Sequence, residues 1–184
     1  MDTAALEFWP TPREIVDALF KIHPPPDPRQ CTIIEPSAGD GAIAAVFRQQ
    51  HYNVIGVEVQ ERFRSELMQR CTSVHISDWL QFSLESANPS YWAAIGNPPY
   101  SPAKLMVDHV EHALRLCDYV AMLLPCTFQH SYERVRFNRT YPLNGYYPIA
   151  KRPSCSRDGK LGKRDLSWHV WDKRMGTRQI IAIV

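Results

Sequence analysis

Short apolar runs rich in β-branched or aromatic residues recur through the first two thirds of this chain, at residues 31–34, 53–57, 73–77, 91–95 and 119–124. Helical patterns lie between them, at 42–50, 61–70 and 103–116. That alternation is the strongest constraint on the fold. Strands separated by helices specify an α/β architecture with a mostly parallel sheet, which receives its ligands at the carboxyl ends of the strands. A further helix is expected from residue 13, where Ile15, Val16, Leu19 and Phe20 share a face. Thr11 is its expected N-cap, with Pro12 at the first helical position and Glu14 completing a capping box. Residues 24–28 (Pro-Pro-Pro-Asp-Pro) form a stiff connector. Near the end, 167–171 alternates and 179–184 is apolar; these two runs are expected to close a seven-stranded sheet with an antiparallel C-terminal edge. Residues 1–184 are read as a single domain.

Composition removes several classes. With 45% hydrophobic and 22% charged residues, the chain is neither disordered nor fibrous. No apolar run has the length of a membrane span, and the first residues lack the basic start and apolar core of a signal peptide, so a cytoplasmic protein is expected. Five scattered cysteines form no C-x-x-C pair, and seven histidines show no ligand spacing; reduced thiols and no metal are expected. Charge is divided unevenly. Residues 1–125 hold nine Lys+Arg against 15 Asp+Glu, a net of −6, and residues 126–184 hold 12 against 4, a net of +8. The basic part suits a polyanion, and a merely solvated basic surface is the competing reading.

Residues with evident chemistry fall at the carboxyl ends of the runs. The first run leads into Glu35-Pro36-Ser37-Ala38-Gly39-Asp40-Gly41. Its small residues let a ligand approach the backbone, while Glu35 and Asp40 would repel a phosphate. The loop also lacks the dinucleotide fingerprint, so a ligand with a cationic or neutral amino-acid portion fits it better. Glu58 ends the second run, where a carboxylate can accept from both hydroxyls of a ribose. Asp78-Trp79 end the third: the acid can take an adenine amino group and the indole can stack on its ring, although a tryptophan there also serves as core. The fourth run leads into Asn97-Pro98-Pro99-Tyr100. The prolines lock φ, so the Asn97 side chain and the Pro98 carbonyl can point the same way out of a rigid turn. These two acceptors would take both hydrogens of an exocyclic amino group, and Tyr100 offers a face to a planar base or amide. Taken alone, the tetrapeptide is equally a Pro-rich turn after a strand.

The motifs, in this order, resemble those of class I S-adenosylmethionine-dependent methyltransferases, specifically gamma-type DNA adenine-N6 methyltransferases of a small phage-like form without a separate target-recognition domain. Phe8-Trp9-Pro10-Thr11-Pro12 resembles the methionine-side motif of that family, 35–41 its cofactor loop, Glu58 its ribose-binding acid, Asp78-Trp79 its adenine-binding pair and Asn97-Pro98-Pro99-Tyr100 its catalytic motif. The likeness implies a Rossmann-like fold. It implies S-adenosylmethionine as cofactor, held by Thr11, Glu35, Pro36, Ser37, Ala38, Gly39, Asp40, Gly41, Glu58, Asp78, Trp79 and Asn97. It further implies methyl transfer at Asn97, Pro98, Pro99 and Tyr100 to N6 of an adenine flipped out of DNA. The same turn chemistry would serve adenine in RNA or a protein glutamine amide, and a non-catalytic cofactor- or nucleic-acid-binding module is a third reading.

Residues 126–165 are read as basic substrate-facing loops, with Arg152, Lys160, Lys163 and Arg164 as nucleic-acid contacts. Residues 152–154 (Arg-Pro-Ser) and the Trp168-His169-Val170-Trp171 run also resemble the small phage-type enzymes, but Cys155 stands where that pattern has an aromatic. Trp168 is then a candidate for the base pocket, against the plainer reading of a core tryptophan. With no evident recognition domain, sequence specificity is assigned to 126–165, to a specificity subunit or to a homodimer.

Overall fold

A computed structural model of the chain describes residues 9–84, 90–130, 132, 134–150 and 164–182. The five expected runs form β1 (Cys31–Pro36), β2 (Asn53–Glu58), β3 (Ser73–Ile76), β4 (Tyr91–Gly96) and β5 (Tyr119–Pro125), all mutually parallel. The chain then adds β6 (Gly145–Pro148), β7 (Leu166–Asp172) and β8 (Ile180–Ile181). The sheet order is β3-β2-β1-β4-β5-β7-β6-β8, with β7 antiparallel to both neighbours and β8 parallel to β6. This is the mostly parallel α/β sheet that the alternation required, with one strand more than expected. The extra strand, β6, reads Gly-Tyr-Tyr-Pro, too short and too poor in aliphatic residues to stand out as a run. It pairs with β7, so residues 180–181 pair with β6 rather than with the 167–171 run.

The helices are α1 (Arg13–Ile22), α2 (Ala42–Gln49), α3 (Arg64–Arg70), α4 (Ala103–Leu116) and α5 (Arg134–Thr140); a 3-10 turn, Glu61–Phe63, takes the place of the first turn expected for α3. Period-2 alternation divides the strands between two faces. On β5, Tyr119, Ala121 and Leu123 join Ile15, Val16 and Leu19 of α1 and Ile43 and Phe47 of α2. Val120, Met122 and Leu124 join Met106, Val110 and Ala113 of α4 and Phe137 of α5. Strands covered on both faces explain why β5 is buried along its whole length.

One expectation is corrected, and one choice between two readings is decided. Thr11 does not cap α1: Pro12 occupies the cap position with no side-chain capping bond, and the Thr11 hydroxyl is engaged elsewhere. Trp168 has no exposed surface and donates its indole N–H to the Ile15 carbonyl at 2.9 Å, so it ties α1 to β7 as core and cannot line a base pocket. At the lower edge of the sheet, Asp172 contacts His23 Nε2 at 3.1 Å and Arg174, while Tyr147 contacts His23 Nδ1 at 2.8 Å and Tyr119 donates to the His23 carbonyl at 2.6 Å. Burial acts to raise the Asp172 pKa, but hydrogen bonds from His23 and Arg174 hold it well below the usual carboxylate range. Among the described residues no helix is long and apolar enough to cross a membrane.

Candidate active site

The sheet order reverses direction between β1 and β4, whose carboxyl ends therefore open a crevice. Gly96, the last residue of β4, lets the two strand ends close: a Cβ there would meet the Pro36 ring at 3.0 Å and its carbonyl at 3.1 Å. The chain then turns through Asn97, Pro98, Pro99 and Tyr100. Asn97 donates through Nδ2 to the Trp9 carbonyl at 3.3 Å and to Thr11 Oγ1 at 3.2 Å. Its Oδ1 accepts the Tyr100 hydroxyl at 2.5 Å, and that hydroxyl also lies 3.2 Å from the Leu123 carbonyl. This network orients the amide, so Oδ1 keeps one lone pair beyond the one facing Tyr100. The segment before α1, the turn and the end of β5 are thereby locked together.

The 35–41 loop curls back on itself. Ser37, Gly39 and Gly41 have φ of 53°, 54° and 77°, a left-handed conformation costly for the serine. Three of its amides are already used, so that no two successive N–H groups are free: Ala38 N–H goes to the Val57 carbonyl at 3.0 Å, Gly39 N–H to Glu58 Oε2 at 2.8 Å and Gly41 N–H to the Ala38 carbonyl at 2.8 Å. No nest of free N–H groups is left in it for a phosphate. Glu35 accepts from Ile43 and Ala44 N–H at 3.3 and 2.7 Å and so caps α2 from within the fold. Burial pushes its pKa up to about 8, against the lowering effect of those two N–H groups. Asp40 pairs with Arg70 through Oδ2 at 3.0 Å, while its buried Oδ1 has no partner among the described residues.

Glu58 closes the next side of the crevice. Its Oε1 takes Gln60 N–H at 2.8 Å and its Oε2 the Gly39 N–H, a structural duty that each oxygen meets with one lone pair. Asp78 accepts the Leu80 N–H at 3.0 Å and caps the 3-10 turn Trp79–Gln81. Trp79 is only 2% exposed, with its ring stacked on Phe82 and its N–H donated to the His109 carbonyl at 3.1 Å. It forms part of the cleft wall rather than an open platform.

Ser37, Gly39, Glu58, Asp78, Trp79, Asn97 and the two prolines line one cleft with about 950 Å³ of unfilled space, open to solvent. A smaller adjoining recess is lined by Trp9, Thr11, Glu35, Ala38, Asp40 and Asn97. Of the predicted residues, Pro36 packs beneath the turn against Gly96, and Gly41 packs on Leu67 and Arg70 of α3, away from both spaces. Arg164 reaches the site, its guanidinium 5.6 Å from the centroid of the Tyr100 ring. Phe8, Arg152, Cys155, Lys160 and Lys163 lie outside the described residues. Sequence reasoning missed His109, which lines the cleft from α4. A lone histidine within an amphipathic helix carries no signal of its own; only the packing of α4 over the 35–41 loop brings it there.

The fold defined by this sheet and crevice is the Rossmann-like methyltransferase fold. Solved structures similar to it include PH1948 of Pyrococcus horikoshii, described as a candidate RNA methyltransferase, at 15% identity and a TM-score of 0.64 over 92% of this chain and 93% of that one. The 23S rRNA methyltransferase ErmE is similar at 16% identity and a TM-score of 0.63, over 90% and 69%. The magnesium protoporphyrin IX methyltransferase ChlM of Synechocystis PCC 6803, with bound S-adenosylmethionine, is similar at 16% identity and a TM-score of 0.55, over 85% and 78%. No protein-family model matches the chain, and no curated protein matches it.

Proposed function

We propose that this protein transfers a methyl group from S-adenosylmethionine to the exocyclic N6 amino group of adenine in a nucleic acid, with DNA as the substrate favoured by its motif set. The observation that carries the reading is the Asn97–Tyr100 turn, braced at both ends and lying beside a cleft that Glu58 and the 35–41 loop also line. The cleft residues fit the cofactor. Glu58 has lone pairs left for ribose hydroxyls, and Asp40, whose Oδ1 has no partner among the described residues, lines the adjoining recess, where a carboxylate suits an ammonium group. When bound, S-adenosylmethionine supplies an electrophilic methyl on a sulfonium.

The residues of this chain would supply position and electrostatics. Asn97 Oδ1 and the Pro98 carbonyl accept the two amino hydrogens, which localises the nitrogen lone pair that adenine otherwise delocalises into its ring. The nitrogen forms its bond to the methyl carbon as the carbon–sulfur bond breaks, and it then gives its surplus proton to solvent, so no strong base is needed. Tyr100 supplies stacking worth about 1–3 kcal/mol, which offsets part of the few kcal/mol needed to extrude a base. The base must displace or slide under Arg164, which lies over that ring. A second reading, adenine in RNA, is favoured by the likeness in fold to a candidate RNA methyltransferase and to an rRNA methyltransferase.

The test is incubation of the protein with methyl-labelled S-adenosylmethionine and, in parallel, unmethylated duplex DNA, structured RNA and a cell protein extract, followed by nucleoside and amino-acid analysis. N6-methyladenine in DNA is the expected product, lost by a factor of about 10²–10³ in kcat for Asn97→Ala. Label in RNA alone would move the substrate to the second reading. Label only in protein, or none at all with the cofactor bound, would refute the proposal.

A further inference from the structure

Behind the cleft, one imidazole joins three of the elements that line it. His109 of α4 is 5% exposed; its Nδ1 lies 2.9 Å from the Leu105 carbonyl and its Nε2 lies 3.1 Å from Ser37 Oγ. Its own carbonyl accepts the Trp79 indole N–H at 3.1 Å. The Leu105 carbonyl can only accept, so Nδ1 carries the ring proton and Nε2 presents a bare lone pair. The single hydrogen on Ser37 Oγ is therefore drawn to His109, and the oxygen keeps its lone pairs for the cleft, which Ser37 lines. Ser37 is also the non-glycine residue of the loop held at positive φ, so it needs an external tether.

We infer that His109 is a positioning residue: it holds the Ser37 hydroxyl as a hydrogen-bond acceptor toward the cofactor and ties the cofactor loop to the helix that leaves the catalytic turn. This rests on the reading of the cleft as the S-adenosylmethionine site. The tie has a direct consequence for the turn, because α4 begins at Ala103, three residues after Tyr100. The cofactor thus meets a serine that can accept from its donors but has no hydrogen to offer. Protonation of His109 would make Nε2 a donor and reverse that polarity, forcing the Ser37 hydrogen into the cleft. Burial holds the imidazole below its ordinary range; the backbone bond to Leu105 and the carboxylates of Asp78 and Asp108 oppose this, and His112 adds to it. Glu58 is a further carboxylate on the cleft.

The experiment measures the Kd of S-adenosylmethionine calorimetrically between about pH 5 and pH 8 for the wild type, His109→Leu, His109→Gln, Ser37→Ala and the Ser37→Ala/His109→Leu double variant, with Tm recorded for each. The wild type is expected to lose affinity as pH falls below the ordinary histidine range. His109→Leu and Ser37→Ala should each weaken binding about tenfold near pH 7.5, the worth of one ordinary hydrogen bond, and flatten the pH profile. The double variant should bind no worse than either single one. His109→Gln, whose amide oxygen can accept the same hydrogen, should recover most of the affinity without the pH dependence. Additive losses in the double variant, or an acid limb that survives in His109→Leu, would overturn the inference while leaving the cofactor reading intact. A folded wild type that binds no S-adenosylmethionine at any pH would overturn both.

Discussion

Asn97 and Tyr100 work as a pair. The Tyr100 hydroxyl is the donor that orients the Asn97 amide, and it spans the gap to the Leu123 carbonyl at the end of β5. Tyr100→Phe keeps the ring and removes that donor, so kcat should fall about tenfold with little change in nucleic-acid affinity, as steady-state kinetics would show. An equal fall for kcat and affinity would place the hydroxyl on the substrate instead. Glu35 gives a prediction of a different kind. In the unfolded chain it ionises near 4.5, while in the fold it keeps its proton up to about 8. Between those values the unfolded state binds fewer protons, so this group's stabilising contribution is lost as pH rises, by on the order of 1 kcal/mol per pH unit at most. Glu35→Gln copies the neutral form. The stability of wild type minus that of Glu35→Gln, from urea unfolding at a series of pH values, should decline from about pH 4.5 to about pH 8; a flat difference would show that the buried carboxyl is ionised throughout.

At the scale of elements, the site depends on how closely β1 and β4 approach at their carboxyl ends. Gly96 serves there for space, not for conformation, since a Cβ would press on a proline ring and a carbonyl, which would have to give by a few tenths of an ångström. Gly96→Ala should therefore force the strand ends apart and cost about 1–3 kcal/mol. Cofactor affinity should drop with it, because the 35–41 loop leaves β1 at that point. Thermal unfolding and calorimetric titration would check both, and a variant with normal Tm and Kd would show that the crevice tolerates the wider spacing. Thr11 belongs to the same junction. Its local sequence suits a helix cap, but the tertiary fold offers it the Asn97 amide instead, and α1 starts at Arg13 without a side-chain cap.

Across the molecule, the candidate site and a polar cluster that holds the fold together occupy opposite edges of one sheet. The upper edge carries Glu35, Glu58, Asp78 and Asn97; the lower carries buried His23, Tyr119 and Asp172, with Arg174 reaching in from the surface. Asp172 is the acceptor at the centre of that cluster, so Asp172→Ala removes the partner of buried His23 Nε2 and leaves Arg174 only the Pro24 carbonyl and solvent, and should destabilise the fold by about 1–3 kcal/mol. Sites this far apart behave independently. The Kd for S-adenosylmethionine, measured well below the lowered Tm, should consequently stay within about twofold of wild type. A large loss of affinity in a protein that is still folded would show that the two edges are coupled.

The sequence by itself determined the parallel α/β sheet and the edge on which chemistry collects, because strand and helix periodicities are local and a parallel order forces the loops after each strand to one side. It also carried the Asn97-Pro98-Pro99-Tyr100 turn, since two prolines restrict φ wherever they stand. Partners distant in the chain were decided only by the tertiary structure. The pairing of Asn97 with Thr11 spans 86 residues, that of His109 with Ser37 spans 72, and the indole bond that makes Trp168 core spans 153. Hydrogen-bond capacity in a side chain says that a partner must exist but not which one. That choice, like the insertion of β6 beside β7, is made by packing, where burying one group removes the water that would otherwise have satisfied it.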